Sequence, residues 1–430
     1  MKIAIIGAGV SGLVAAYRLH HRHQVTVFEA NDYPGGHAQT VRVDVDGESF
    51  DLDTGFMVFN NWTYPEFNRL LDTLQVKSRA TTMSFSVRDE QSGLEYNGSS
   101  LNALFAQRGN LLRRKFYRML VDILRFNQLA KSTAQDLSDK TTVQEFVRQH
   151  RLSQAFTDFY LLPMGAAIWS CPPGKFAEFP VRFIAEFYRN HGLLNLRSRP
   201  TWSVVAGGSR VYVDALTREF RDHIRLDCPI ANVHRMTDYV VIKPLHGPAE
   251  PYDHVIFACH SDQALKILAD GATSKEREIL SAFPYQKNLA VLHTDTSLLP
   301  QNRRAWACWN YRLRTGERNT AANVTYNLNL LQGIAARRTF CVTLNDDSTI
   351  NPQLILKKIE YHHPVFTTER ASAQARHSEL INSNRTSFCG AYWGNGFHED
   401  GVVSGLKVAS SLETASSRVS LSMIPAGRQA

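Results

Sequence analysis

The chain has no paired-cysteine spacing, no membrane-length apolar run, no dense basic tract, and no repeat or low-complexity segment. Its six cysteines (Cys171, Cys228, Cys259, Cys308, Cys341 and Cys389) never fall in a CxxC arrangement. They read as reduced, mostly buried thiols rather than a disulfide frame or zinc site. No stretch approaches the roughly 18 apolar residues that cross a bilayer. The apolar start is cut by Gly7 and Gly9 too early for a secretory signal. The expectation is a cytoplasmic protein. Without a basic tract, the formal charge of +8 does not suggest nucleic-acid binding. It reads as solubility, or as attraction to an anionic membrane or acidic substrate. What remains is ordinary globular composition, 43% hydrophobic and 20% charged over 430 residues, long enough for two domains.

The N-terminus is more specific. An apolar run at residues 2–6 reads as a strand buried on both faces. Gly7-Ala8-Gly9-Val10-Ser11-Gly12 follows at once, and Leu13, Val14, Ala16, Tyr17 and Leu19 then recur at helical spacing. A second β-branched strand, residues 24–28, ends at Glu29. This is a dinucleotide fingerprint in its proper setting. Gly7 permits the turn, Gly9 admits a pyrophosphate to the backbone, and Gly12 lets helix and sheet approach. Glu29 can accept hydrogen bonds from both hydroxyls of an adenosine ribose, and its charge disfavours a 2′-phosphate. The basic group at 20–23 suits a helix C-terminus, and no metal site is expected.

After Glu29 comes Ala30-Asn31-Asp32-Tyr33-Pro34-Gly35-Gly36-His37. A glycine pair here resembles the extended motif of the flavin amine oxidase, phytoene desaturase and protoporphyrinogen oxidase superfamily, with His37 where that family usually has Arg. The likeness continues through Asp53-Thr54-Gly55-Phe56, the mid-chain turn Ala206-Gly207-Gly208, Asp227-Cys228-Pro229-Ile230, and Phe388-Cys389-Gly390. It ends with Phe397-His398-Glu399-Asp400-Gly401. The resemblance implies FAD, with cofactor contacts from Gly7, Ala8, Gly9, Val10, Ser11, Gly12, Glu29, Ala30, Gly35, Gly36 and His37. It further implies contacts from Thr54, Gly55, Phe56, Ile230, Gly390, His398, Glu399, Asp400 and Gly401. The strings DTGFMVFN, LHTDTSLLP, YHHPVF and YWGNGFHEDG are similar to a bacterial group of NAD/FAD-binding, amine-oxidase-like proteins described beside fatty-acid-modifying enzymes. That likeness implies a lipid acyl substrate.

The implied fold is α/β: a Rossmann-like FAD-binding domain of the two-dinucleotide-binding type with an inserted α+β substrate domain. The motif order divides the chain into 1–78, 200–263 and 385–430 for the cofactor, and 79–199 and 264–384 for substrate. Residues 110–131 read as a basic amphipathic helix, with Leu112, Phe116, Met119, Leu120 and Ile123 on one face and Arg114, Arg118 and Arg125 on another. Such a helix either packs with a solvated arginine face or lies on the inner face of an anionic membrane. Trp169, Trp309, Tyr311, Tyr392 and Trp393 are the expected walls of an apolar pocket. His293, Asp295 and His398 are the candidate acid–base groups, and Lys287 is a candidate flavin-side lysine. The expected activity is FAD-dependent dehydrogenation or desaturation of a hydrophobic small molecule or lipid, with the electron acceptor open. The alternatives are an amine oxidase producing imine and hydrogen peroxide, and a non-redox sugar-nucleotide mutase or lipid- or prenyl-binding protein on the same architecture.

Overall fold

The apolar run Lys2–Ile6 and the more mixed Gln24–Phe28 become interior strands of a parallel sheet. In the computed structural model, which describes residues 1–133, 138, 140–195, 197–314, 323–367 and 369–422, this sheet has five strands. Their spatial order is Ile224–Arg225, Gln24–Phe28, Lys2–Ile6, His254–Phe257, Thr386–Phe388. Ile3 and Ile5 face helices Val10–Leu19, Pro65–Thr73, Arg210–Thr217 and His398–Ser422. Ala4 and Ile6 face a three-stranded antiparallel sheet, Ile230–Arg235 with Val240–Pro244 and Glu250–Tyr252, and helix Ser261–Leu268. Burial on both faces explains the unbroken apolar sequence from Ile3 to Ile6. Each fully buried Val, Leu or Ile contributes about 1.5–3 kcal/mol.

The second layer system is a seven-stranded sheet. Its order is Ile355–Pro364, Tyr285–His293, Cys341–Leu344, Val324–Asn327, Trp309–Leu313, Phe85–Asp89, Leu94–Asn97. All its pairs are antiparallel except Phe85–Asp89 with Trp309–Leu313. A smaller sheet, Phe59–Asn60 with Trp202–Val205 and Ser78–Thr81, straddles the division expected between 78 and 79. The closing stretch expected for the cofactor domain includes 423–430, which lie outside the described residues.

The helix expected over 110–131 starts later, at Arg114, and runs to Thr133 after a 3-10 turn at Arg108–Leu112. Phe116 and Met119 are buried as the periodicity predicts, but Leu112 is 90% exposed, because the chain enters the helix only after it. Arg118 and Arg125 are not simply solvated: both reach the buried carboxylate of Asp122, at 3.2 and 2.6 Å.

The last helix crosses the first where glycines permit. A Cβ on Gly405 would stand 2.4 Å from the Ser11 carbonyl oxygen, and one on Gly401 would stand 2.6 Å from Val10 Cγ1. Two helix N-termini are thereby held side by side above the parallel sheet. At the other end of the first helix, the basic group does more than complement the dipole: His20 and His21 approach Glu219 at 3.2 and 3.6 Å on the surface.

Candidate functional site

The glycine turn has the geometry its sequence predicts. Gly7 leaves the strand at φ +108°, and a Cβ on it would stand 2.9 Å from the Ala258 backbone. Gly9 caps the helix Val10–Leu19 with no side chain over the first turn, so the leading amides are left for an anion. A Cβ added at Gly9 meets nothing within 4 Å, whereas one at Gly12 would lie 2.1 Å from the Gly7 carbonyl oxygen. Gly35 donates its N–H to the Ala8 carbonyl at 2.7 Å, and Gly36 packs its Cα face on Gly9, where a Cβ would come within 3.2 Å. The second glycine pair therefore folds back over the first turn.

Glu29 is buried beside this turn and is already occupied. Its carboxylate accepts the Ala8 N–H at 2.7 Å, the Asn31 N–H at 3.0 Å and the Asn31 Nδ2 at 2.8 Å. A carboxylate has about four acceptor positions, so gripping both hydroxyls of a ribose requires one of these bonds to be released. Ala30 is exposed at the following bend. Ile230 lies just beyond Cys228, whose N–H donates to the Glu29 carbonyl at 2.8 Å.

His37, expected as a phosphate neighbour, sits in a cluster that sequence order conceals. It stacks on Tyr361 at 4.8 Å and lies 5.3 Å from His363 and 6.2 Å from His260. His260 in turn stacks on Tyr285 at 4.2 Å and stands 6.2 Å from His362. Desolvation pushes His37 down to about 4 and His260 and His363 to about 3, so all three rings are neutral near pH 7. His37 Nε2 is buried without a hydrogen-bond partner. An open cradle at Gly9, an uncapped helix and an orphaned ring nitrogen fit a bound pyrophosphate better than a closed protein core does. The string YHHPVF carried family likeness in the sequence. Its convergence with His37 and His260 had no local signal.

Asp53-Thr54-Gly55-Phe56 forms the floor. Asp53 Oδ1 accepts the Thr40 hydroxyl at 2.6 Å, and both the Ser209 N–H and hydroxyl at 2.8 Å. This ties the double glycine at 207–208 to the N-terminal unit. Burial raises the Asp53 carboxyl to about 6. Thr54 bonds the Tyr361 hydroxyl at 2.9 Å, and a Cβ on Gly55 would strike the His37 carbonyl oxygen at 2.2 Å. Asp53→Ala would strand four donors, the Gln332 amide among them at 3.2 Å, so a loss of about 3–5 kcal/mol is expected in urea unfolding; a loss under about 1 kcal/mol would deny Asp53 this bracing role.

At the last helix, His398 stacks face to face on Phe56 at 3.5 Å and bonds the Tyr212 hydroxyl through Nε2 at 2.7 Å. Desolvation holds its pKa well below the ordinary value. Glu399 is spent on the N–H groups of Glu66 and Phe67, at 3.0 and 2.9 Å, and Asp400 accepts the Phe397 N–H at 2.8 Å. Burial raises both carboxyls. Gly390 donates its N–H to Ser404 Oγ at 3.0 Å, locking the preceding loop onto the helix. Beside this helix start lies a cavity of about 460 Å³, whose walls include Trp62, Tyr64, His191, Asn395, Phe397 and Asp400.

The five rings expected to form one pocket are not brought together, and none of them lines this cavity. Trp169 packs among Phe176, Phe183 and Phe187. It stands one layer behind the cavity, since Phe187 is 5.3 Å from Phe397. Trp309 and Tyr311 belong to the core of the seven-stranded sheet. Tyr392 packs on Phe283 at 5.0 Å, and Trp393 stacks on His377 at 4.0 Å. Aromatic clusters in sequence became core because strand and helix geometry turned each toward a different hydrophobic layer.

His293 and Asp295 also move away from catalysis. His293 bonds Thr343 at 2.7 Å and accepts the Asp295 N–H at 3.1 Å, while Asp295 accepts the N–H groups of Ser297 and Asn351, each at 2.9 Å. They close the far end of the strand Tyr285–His293, roughly 26 Å along it from Tyr285 at about 3.3 Å per residue. Lys287 is exposed and pairs with Glu360, so it is not a flavin-side lysine.

A family model described as flavin containing amine oxidoreductase matches residues 10–294. A 4,4'-diapophytoene desaturase of Staphylococcus aureus is 49% identical over 53 residues, which is 12% of this chain and spans only 10% of the desaturase. Among solved structures, cyclohexylamine oxidase from Brevibacterium oxydans superposes with a TM-score of 0.67 at 15% identity, covering 97% of this chain and 99% of that one. A CLA-producing fatty acid isomerase from P. acnes superposes with a TM-score of 0.65 at 14% identity, covering 95% and 98%. The glycine cradle, the two helix starts and the match over most of the chain agree, and the protein belongs to the flavin containing amine oxidoreductase family.

Proposed function

We propose that the protein is a FAD-dependent oxidoreductase of the dehydrogenase or desaturase type, acting on a hydrophobic substrate such as a lipid fatty acyl chain. The observation that carries this reading is the cavity at the last helix. Trp62, Tyr64, His191 and Phe397 set rings into its walls beside Thr63, Pro65, Asn190 and Asn395, and its two carboxylates, Glu399 and Asp400, are already spent on backbone amides. Such a site offers ring faces to an apolar chain, and its carboxylates have little left to give a cation. When bound, the flavin supplies the hydride acceptor, so no strong base is demanded of the protein. The work left to the residues is positioning. Phe397 and Tyr64 confine the substrate, and neutral His398, fixed by Tyr212, holds Phe56 and the first turn of the last helix. The diapophytoene desaturase match and the shared fold of the fatty acid isomerase support an unsaturated or saturated hydrocarbon as the substrate class.

The second reading, an amine oxidase, draws on the carboxylates at the cavity wall and the family as a whole. Reducing the purified protein without oxygen and then mixing it with aerated buffer separates the two. Slow reoxidation over seconds to minutes is expected of the dehydrogenase. Millisecond reoxidation with peroxide release and turnover of an amine would replace it with the oxidase. Lipid mass profiling of cells with and without the gene then tests the substrate, and unchanged acyl unsaturation would remove the lipid reading.

A further inference from the structure

Large apolar side chains gather on the outside of the molecule at one place. Leu101 is 77% exposed, Leu111 48%, Leu112 90%, Tyr117 43%, Val121 50% and Leu124 51%. On the helix Arg114–Thr133, residues 114, 117, 118, 121 and 124 recur at three- and four-residue spacing and so share one face. The opposite face packs Phe116, Met119, Phe126 and Ala130 into the core. The helix is therefore seated in the protein and still presents leucine, valine and tyrosine to solvent, a cost that an isolated monomer gains nothing from.

Charge identifies the partner. From Tyr96 to Val121 the chain contains no Asp or Glu, yet it carries Arg108, Arg113, Arg114, Lys115 and Arg118. The first acid beyond this stretch, Asp122 on the helix itself, is fully buried and already paired with Arg118 and Arg125. Arg114 and Lys115 are exposed and form no ion pair among the described residues. A second copy of the chain would bring like charges together. A nucleic acid would not repay the exposed leucines. An anionic phospholipid surface satisfies both features at once, since the headgroups meet the cations while the leucines reach the acyl boundary.

We propose that Leu101, the turn Arg108–Leu112 and the outer face of the helix Arg114–Thr133 form a peripheral docking surface for anionic phospholipid bilayers. No helix among the described residues is long and apolar enough to cross a membrane, so the contact is interfacial. The inference stands on exposure and charge alone, and it survives whatever substrate the cavity takes.

Vesicle flotation tests it. The full-length protein is mixed with phosphatidylcholine vesicles, or with vesicles also containing phosphatidylglycerol. Flotation is expected only with phosphatidylglycerol, falling sharply in high salt. Arg114→Glu with Lys115→Glu is expected to weaken binding roughly tenfold or more, and Leu112→Ser with Leu124→Ser by a similar factor. Both variants should keep the wild-type far-UV circular dichroism and flavin content. Failure of the wild type to float, equal flotation with phosphatidylcholine alone, or retained binding by the leucine variant would overturn the proposal. So would a concentration-dependent dimer that the leucine variant abolishes, since the face would then belong to a second copy.

Discussion

Gly9→Ala is expected to fold and to lose its cofactor, whereas Gly12→Ala is expected to be strongly destabilised. Gly9 has φ −71° and ψ 175°, values that alanine adopts freely, and the added methyl meets no protein atom within 4 Å. Stability should change by no more than about 1 kcal/mol, the scale of a weakened helix cap. The methyl instead points where the backbone must approach a pyrophosphate. Losing two charge-assisted hydrogen bonds of about 1.5–3 kcal/mol each corresponds to flavin affinity falling roughly a hundredfold or more. At Gly12 the same methyl would stand 2.1 Å from the Gly7 carbonyl oxygen and 2.9 Å from Ala258 Cβ. Backbone on one side and Ala258, just past the buried strand His254–Phe257, on the other leave little room to yield, so a cost above about 3 kcal/mol is expected. Flavin titration of Gly9→Ala and thermal unfolding of both variants check the pair. Full flavin affinity in Gly9→Ala would place the diphosphate elsewhere.

Acid should unfold the protein early and steeply. His191, His254, His293 and His377 are buried, and desolvation lowers each to about 4, with His398 driven well below its ordinary value. A histidine depressed in the folded state carries no penalty above its unfolded pKa near 6.5. Below that, the unfolded chain takes up a proton that the folded chain refuses, so stability falls with pH until the folded pKa is reached. Each such ring contributes about 1 kcal/mol per pH unit within that window. Asp53, raised by burial to about 6, works in the opposite sense: its contribution is present at low pH and lost as pH rises through about 6. Glu399 and Asp400, also raised by burial, share that sign. These five histidines, with His37, His260 and His363 of the cluster, outweigh the three carboxyls and leave a net loss as the pH falls from 6.5. With a total stability of order 5–15 kcal/mol, the unfolding midpoint is expected above about pH 4, with several protons taken up. Tryptophan fluorescence against pH measures it, and an unchanged native signal at pH 3.5 would mean that these rings are not held neutral by burial.

Legibility in the sequence followed distance along the chain. The stretch from Lys2 to Glu29 was readable because strand, turn, helix and acid are contiguous, and each constrains its neighbour by backbone geometry. The family likeness reached Asp53, whose carboxylate braces Thr40 and Ser209, and Gly208 and Gly390, where a Cβ would strike Thr40 and the Tyr392 ring. The histidine cluster was not readable, because residues 37, 260, 362 and 363 meet only after three separate stretches fold together. His293 and Asp295 misled for the opposite reason: adjacent polar residues resembled a catalytic pair, yet they close the end of a strand. Trp309, Tyr311, Tyr392 and Trp393 misled because aromatic content does not say which layer a ring enters. Leu112 fit the helical period but precedes the helix, and that failure of the pattern exposed the outward leucine face.

The account depends on a flavin dinucleotide held by the backbone between two helix starts. The direct measurement is the visible spectrum of the purified protein, followed by mass spectrometry of whatever denaturation releases. Flavin bands with FAD released at one equivalent per chain are expected. Colourless protein that fails to gain those bands when FAD is added would contradict the account.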